Sequence, residues 1–145
     1  MSEQVQVPCT QCAAVVRVPA DRISDGPKCP QCHHALFEGH PAEVDAGAFE
    51  RQLERSELPL VVDFWAPWCG PCRAMAPAFE AAAQRLEPKV RFLKVNTDEV
   101  PELAGRFSIR GIPTVVVFKQ GKEVARQSGA MGSQQLQQWL SQAVA

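Results

Sequence analysis

Six cysteines in this chain form three Cys-x-x-Cys pairs: Cys9/Cys12, Cys29/Cys32 and Cys69/Cys72. Two thiols at that spacing can hold a soft metal ion as thiolates, or cycle between dithiol and disulfide. The neighbourhood decides between them. Trp68-Cys69-Gly70-Pro71-Cys72 follows an apolar run, Pro59 to Ala66, and opens a helical pattern. Unpaired N–H groups and aligned peptide dipoles at a helix N-terminus favour an anion. Cys69 stands there, so its thiolate should be stabilised, and the thiolate is the form that attacks a disulfide. Cys72 comes one turn later, more buried and less acidic, placed to resolve a mixed disulfide. Pro71 fixes φ and lacks an N–H, which suits a first helical turn. A zinc knuckle would need a second ligand pair nearby, and no Cys or His follows residue 72.

The other two pairs lack a helix-opening context. Sixteen residues separate Cys12 from Cys29, a spacing that fits a zinc site of four cysteines, Cys9, Cys12, Cys29 and Cys32. Residues 1–40 hold few large apolar side chains and need a metal or crosslinks to fold. Zinc would supply that energy. Four thiolates leave no open coordination position, so the role is structural. His33 and His34 are spare donors, and His40 belongs to a linker. Two redox-active pairs or two disulfides are the competing assignment. A competing function keeps the zinc: in a redox-regulated, chaperone-like binding module, oxidation ejects zinc, unfolds residues 1–40 and changes binding or exposes apolar surface. Arg17, Arg22, Lys28 and Phe37 are poor material for a nucleic-acid adaptor.

Asp63 interrupts Val61-Val62-Asp63-Phe64-Trp65, where a carboxyl is costly and tends to stay protonated. It could face solvent by alternation, but the apolar run on both sides leaves little solvent face. Beneath the cysteine loop, Asp63 can take a proton from Cys72. Lys94, in Phe92-Leu93-Lys94-Val95-Asn96, is either its partner or a solvated strand-edge lysine. In Gly111-Ile112-Pro113-Thr114, Pro113 is either a trans strand-start proline or a cis turn.

These groups need elements to hold them. Asp45 can cap a helix to about Arg55. Pro59 to Ala66 suits a strand buried on both faces. Gly70 to Leu86 reads as a helix with Cys72, Met75, Ala76, Phe79, Ala83 and Leu86 on one stripe. Val90 to Val95 is the next strand, and Thr97 or Asp98 caps a short helix to about Phe107. Thr114–Phe118 and Lys122–Gln127 flank a Gln120-Gly121 hairpin turn. Ser133 caps a last helix that turns Leu136, Trp139, Leu140 and Ala143 inward. Ala13–Val18 and Ala35–Phe37 read as short ribbon strands, and residues 38–44 as linker. The order α β α β α β β α implies an α/β fold, a mixed sheet covered by helices.

At 145 residues the chain suits one domain plus a small module, split here as residues 1–40 and 41–145. A net charge of −1 argues against a general nucleic-acid or membrane-surface binder. No apolar run reaches membrane-spanning length. The polar start, Met1 to Gln6, does not read as a secretory signal, so a cytoplasmic location is expected, where thiols stay reduced.

VVDFWAPWCGPC (Val61–Cys72), Lys94-Val95-Asn96-Thr97-Asp98, IRGIPT (Ile109–Thr114) and Gly129-Ala130 together resemble thioredoxins, in collinear order over residues 42–145. With the four-cysteine segment, the chain is similar to the zinc-bearing thioredoxins often called thioredoxin 2. The resemblance implies a thioredoxin fold preceded by a zinc-ribbon module. It implies that Cys69 attacks, Cys72 resolves, Asp63 is the buried acid and Lys94 its neighbour. Pro113 should be cis, and the Ile112 backbone should pair with an extended substrate segment. Trp68, Gly70, Pro71, Gly111, Ile112, Pro113, Gly129 and Ala130 should form the docking surface. Disulfide-containing proteins are the implied substrates and a thioredoxin reductase the electron donor, with zinc as cofactor, no organic cofactor, and a working monomer. Gly-Pro between the cysteines is the version found in reductants. Arg73 and Phe107 depart from the frequent lysine and tyrosine, and the chain has no Tyr.

Overall fold

The computed structural model describes residues 3–145; Met1 and Ser2, which open the polar N-terminal stretch, lie outside the described residues. Gln4–Pro8 (β1) and Val15–Pro19 (β2) pair antiparallel into a ribbon. β1 is absent from the expected elements, and β2 starts two residues later than Ala13. Ala35–Phe37 is not a strand; it contributes a single bridge, Lys28 to Ala35. The ribbon core is Cys9, Val16, Val18, Cys29 and Leu36, small as expected for a module this short.

The segment read as linker yields an edge strand, Ala42–Glu43 (β3). Ala46–Arg55 (α1) follows, with the Asp45 carboxylate accepting the Ala48 N–H at 2.8 Å as its cap. Leu60–Trp65 (β4), Gly70–Leu86 (α2) and Arg91–Asn96 (β5) come next. Then come Pro101–Arg106 (α3), Thr114–Lys119 (β6), Lys122–Ser128 (β7) and Ser133–Ala143 (α4). The five-stranded sheet has the order β3-β5-β4-β6-β7. β3, β5 and β4 run parallel, while β6 and β7 are antiparallel additions.

Two expected caps fail for a common reason: the side chains are engaged elsewhere. Thr97 donates its hydroxyl to the Trp65 carbonyl at 3.0 Å, and the Asp98 carboxylate accepts the Trp68 indole N–H at 2.9 Å. α3 therefore begins at Pro101, whose fixed φ suits a first turn. At α4 the capping position is Gly132; Ser133 is already helical and its hydroxyl accepts from Gln137 at 3.4 Å.

Alternation along the central strands gives the sheet two apolar faces. Leu60, Val62, Phe64, Leu93, Val95, Val116 and Phe118 pack beneath α1 and α3, with Phe49, Leu53 and Leu103. Phe107 inserts here, 5.2 Å from Phe118 and 5.7 Å from Phe49 between ring centroids, an apolar setting that asks nothing of a phenol oxygen. Val61, Phe92, Val115 and Val117 pack beneath α2 and α4, with Met75, Phe79, Leu136 and Leu140. Asp63 alternates onto this second face.

The ribbon is clamped to the sheet by Arg91, which is only 2% exposed. Its guanidinium lies 4.3 Å over the Phe37 ring and donates to the carbonyls of Leu36 (2.7 Å) and Pro8 (3.3 Å). Gln52 on α1 donates to the same Pro8 carbonyl at 2.8 Å. Leu60 and Arg91 are register partners at the start of β4 and β5, so the ribbon sits at the end of the sheet opposite the Cys69 loop.

Candidate redox site and metal cluster

β4 ends at Trp65, and Ala66 to Cys69 turn the chain into α2. Cys69 is the helix cap: its Sγ accepts the Cys72 backbone N–H at 3.1 Å. The sulfur is thus aimed at the peptide dipoles of a 17-residue helix, as its expected acidity requires. Cys69 and Cys72 are joined as a disulfide, with Cα atoms 5.3 Å apart. Both are nearly buried, at 4% and 3% exposure. Cys69 Sγ lies 3.8 Å from the Ile112 carbonyl, and the Ile112–Pro113 bond is cis.

Around the disulfide, Ala66, Trp65 and Ile112 form an apolar collar. Trp68 is 68% exposed, held to the surface by its indole bond to Asp98. Gly70, Pro71, Gly111, Gly129 and Ala130 are exposed, Ile112 is half-buried and Pro113 is buried. The Gly129 N–H bonds the Pro113 carbonyl at 2.9 Å, which sets Gly129-Ala130 beside the proline loop. Gly129 does this at φ +95°, a conformation that favours glycine. The residues expected to line a docking surface therefore come together.

Asp63 lies at 1% exposure with Oδ1 lacking any hydrogen-bond partner. Burial pushes its carboxyl up to about 7; Lys94 pulls it down and Glu43 pushes it further up. Lys94 is the register partner of Asp63 across the β4–β5 ladder, so the two side chains share a face. Its ammonium lies 4.1 Å over the Trp65 ring. Glu43 and the Trp65 side chain escaped the sequence reading of the site. Glu43 sits in the supposed linker, and only its pairing with β5 brings it here.

The four remaining cysteines converge. Their sulfurs lie within 4.8 Å of one another, with Cys9–Cys32 and Cys12–Cys29 each at 3.6 Å. A tetrahedral zinc with bonds of about 2.3 Å sets its sulfurs about 3.8 Å apart, so the cluster has the right size and donor set. The two halves repeat one turn. Ala13 N–H bonds the Cys9 carbonyl and Cys9 N–H the Ala14 carbonyl; His33, Cys29 and His34 reproduce the pattern, with Ala13 and His33 at φ +65° and +67°. The His side chains are not part of the cluster.

Family models match on both sides of the linker. Residues 40–142 match the thioredoxin family, and residues 8–34 match the thioredoxin 2 N-terminal zinc ribbon. The chain belongs to the thioredoxin family. Thioredoxin C-3 of Corynebacterium nephridii is 43% identical over 134 residues, covering 92% of each chain. Thioredoxin 1 of a Nostoc species is 46% identical over 99 residues, 68% of this chain and 92% of the relative. The crystal structure of chloroplastic thioredoxin z superposes with a TM-score of 0.65 at 29% identity, over 72% of this chain and 94% of that one. The fold is accordingly a thioredoxin fold carrying an N-terminal zinc ribbon. The molecule is a thiol–disulfide oxidoreductase with Cys69 and Cys72 as its active pair. Among the described residues, no helix is long and apolar enough to cross a membrane.

Proposed function

We propose that the chain reduces exposed protein disulfides in the cytoplasm as a monomer, with electrons from a thioredoxin reductase. Residues 41–145 form the catalytic domain and residues 1–40 a structural zinc module. The observation that carries the proposal is the placement of Cys69 Sγ at the α2 cap, 3.1 Å from a backbone N–H and beside the Ile112 carbonyl.

In the reduced protein the Cys69 thiolate attacks one sulfur of the substrate disulfide, and the other substrate sulfur leaves as a thiolate. A mixed disulfide joins Cys69 to the substrate. The Cys72 thiol then gives its proton to the Asp63 carboxylate, directly or through water, and attacks Cys69 Sγ. The second substrate sulfur departs as a thiolate, leaving the Cys69–Cys72 disulfide seen here. Two electrons have passed to the substrate, and the reductase returns them. An acid pushed to about 7 suits this proton transfer, because both of its forms are populated at neutral pH. Lys94 keeps enough carboxylate present. Trp68, Gly111, Ile112 and Ala130 offer an apolar rim, and the Ile112 carbonyl is an acceptor for an extended substrate backbone. Zinc, held by Cys9, Cys12, Cys29 and Cys32, would supply folding energy to the ribbon and no redox chemistry. The exchange runs on protein sulfur alone, without an organic cofactor.

Insulin reduction driven by NADPH and a thioredoxin reductase tests the proposal. Cys69→Ser should abolish turnover. Cys72→Ser should trap a mixed disulfide visible by mass spectrometry. Turnover by Cys69→Ser at more than a few per cent of the wild-type rate would overturn it.

A further inference from the structure

The edge strand β3 places a second acid beside the first. Glu43 is the register partner of Lys94 across β3–β5, and Lys94 is the register partner of Asp63 across β5–β4. Residues paired in register point to the same face, so Glu43, Lys94 and Asp63 form a row across three parallel strands. Lys94 stands in the middle with an acid on each side. Ala42 and Val44, flanking Glu43, pack on the opposite face, as alternation requires. Trp65 completes the arrangement: its indole donates to Glu43 Oε1 at 3.1 Å, and its ring carries the Lys94 ammonium at 4.1 Å.

We infer that Glu43 is a positioning residue for disulfide exchange: it draws Lys94 and Trp65 toward the sheet edge and so limits how far Lys94 can stabilise the Asp63 carboxylate. The inference rests on the reading of Asp63 as the proton acceptor for Cys72. Burial raises the Asp63 carboxyl, Lys94 opposes that rise, and Glu43 offsets part of the lysine's pull. Shared between two acids, the lysine is divided, and Asp63 can be both donor and acceptor near neutrality.

Among the described residues, Lys94 and Glu43 are the charges that act on Asp63. On β6 the residue opposite Asp63 is Val115, and α4 (SQQLQQWLSQA) carries no charged side chain. α2 presents the cysteine pair. Glu43 in turn feels burial first, then Lys94, the Trp65 hydrogen bond and Glu99. Glu43 is partly solvated, so its influence is modest, and it should be read as a shift in pH rather than as a loss of function.

The experiment is a carbon-13 NMR titration of the Asp63 carboxyl, run beside the pH profile of insulin reduction, for wild type, Glu43→Gln, Glu43→Asp and Lys94→Met. Glu43→Gln keeps an acceptor for the Trp65 indole but removes the charge. The Asp63 midpoint should fall by roughly half a pH unit, and the rate profile should move down with it. Glu43→Asp should restore most of the difference, and Lys94→Met should move the midpoint up. An unmoved Asp63 in Glu43→Gln, with a normal response to Lys94→Met, would overturn the role of Glu43 alone. A midpoint that moves while the rate profile stays fixed would overturn the Asp63 reading, and this inference with it.

Discussion

Replacing Asp63 by Asn should make the protein more stable, and increasingly so as the pH rises. The carboxyl has no partner for Oδ1 and only 1% exposure, so ionising it inside the fold is costly. Its ordinary value of 3.8 is raised to about 7 in the folded state, so at about 1.36 kcal/mol per pH unit the ionised form costs about 4 kcal/mol. The native state holds the proton more tightly than the unfolded chain does. Stability is therefore greatest below pH 3.8, declines as pH rises between 3.8 and about 7, and levels off above. Roughly 2.5 of those kcal/mol should be lost between pH 5 and pH 8. The assay is guanidinium unfolding of the oxidised wild type and of Asp63→Asn at pH 5, 6, 7 and 8, followed by circular dichroism. Subtracting one protein from the other cancels the zinc ribbon and every other titrating group. The stability gap in favour of Asp63→Asn should widen by roughly 2.5 kcal/mol across the series. A gap that is flat within about 1 kcal/mol would show that Asp63 ionises freely in the fold, and would refute the account of its environment. The same substitution should slow the release of substrate from the mixed disulfide, because Cys72 loses its proton acceptor.

Two more outcomes follow from the ribbon and its clamp. Arg91→Met keeps volume but leaves the Leu36 carbonyl without its donor, and should cost about 2 kcal/mol while exposing residues 1–40 to limited proteolysis; a variant with wild-type protease resistance would contradict the clamp. Removing zinc with a chelator should abolish the ordered ribbon, from β1 to Phe37, by NMR and leave insulin reduction by Cys69 and Cys72 largely intact. Loss of turnover in step with zinc would tie the metal to the chemistry after all.

Much of the redox centre could be read before any coordinates, because its signals are local. α2 has the expected limits, Gly70 and Leu86, since Cys69 caps it and Pro71 fits its first turn. Asp63 stands out as an acid within an apolar run, and the run is a central strand buried from Leu60 to Phe64. The four-cysteine cluster is foreshadowed by its spacing and by the small apolar content around it, and the sulfurs do converge. What escaped depends on pairing between distant segments. β3 has two residues, too few to carry any period, and it exists because β5 offers a free parallel edge. Glu43 becomes part of the site only through that pairing, and Arg91 looks like an ordinary strand flank until Leu36 and Pro8 come to rest on it. Thr97 and Asp98 illustrate the converse. Their types suit a helix cap, but tertiary partners, the Trp65 carbonyl and the Trp68 indole, outcompete the backbone nearby.

The seat of the ribbon on Arg91 separates the six sulfurs into two circuits. Five register steps of β5, about 17 Å at about 3.3 Å each, lie between the clamp and the end that carries Cys69. Thiol exchange proceeds only when sulfurs touch. Within one molecule, the metal-binding thiols and the active pair are therefore insulated from each other. While the clamp holds, a disulfide formed in the ribbon cannot be reduced by the catalytic dithiol of the same molecule.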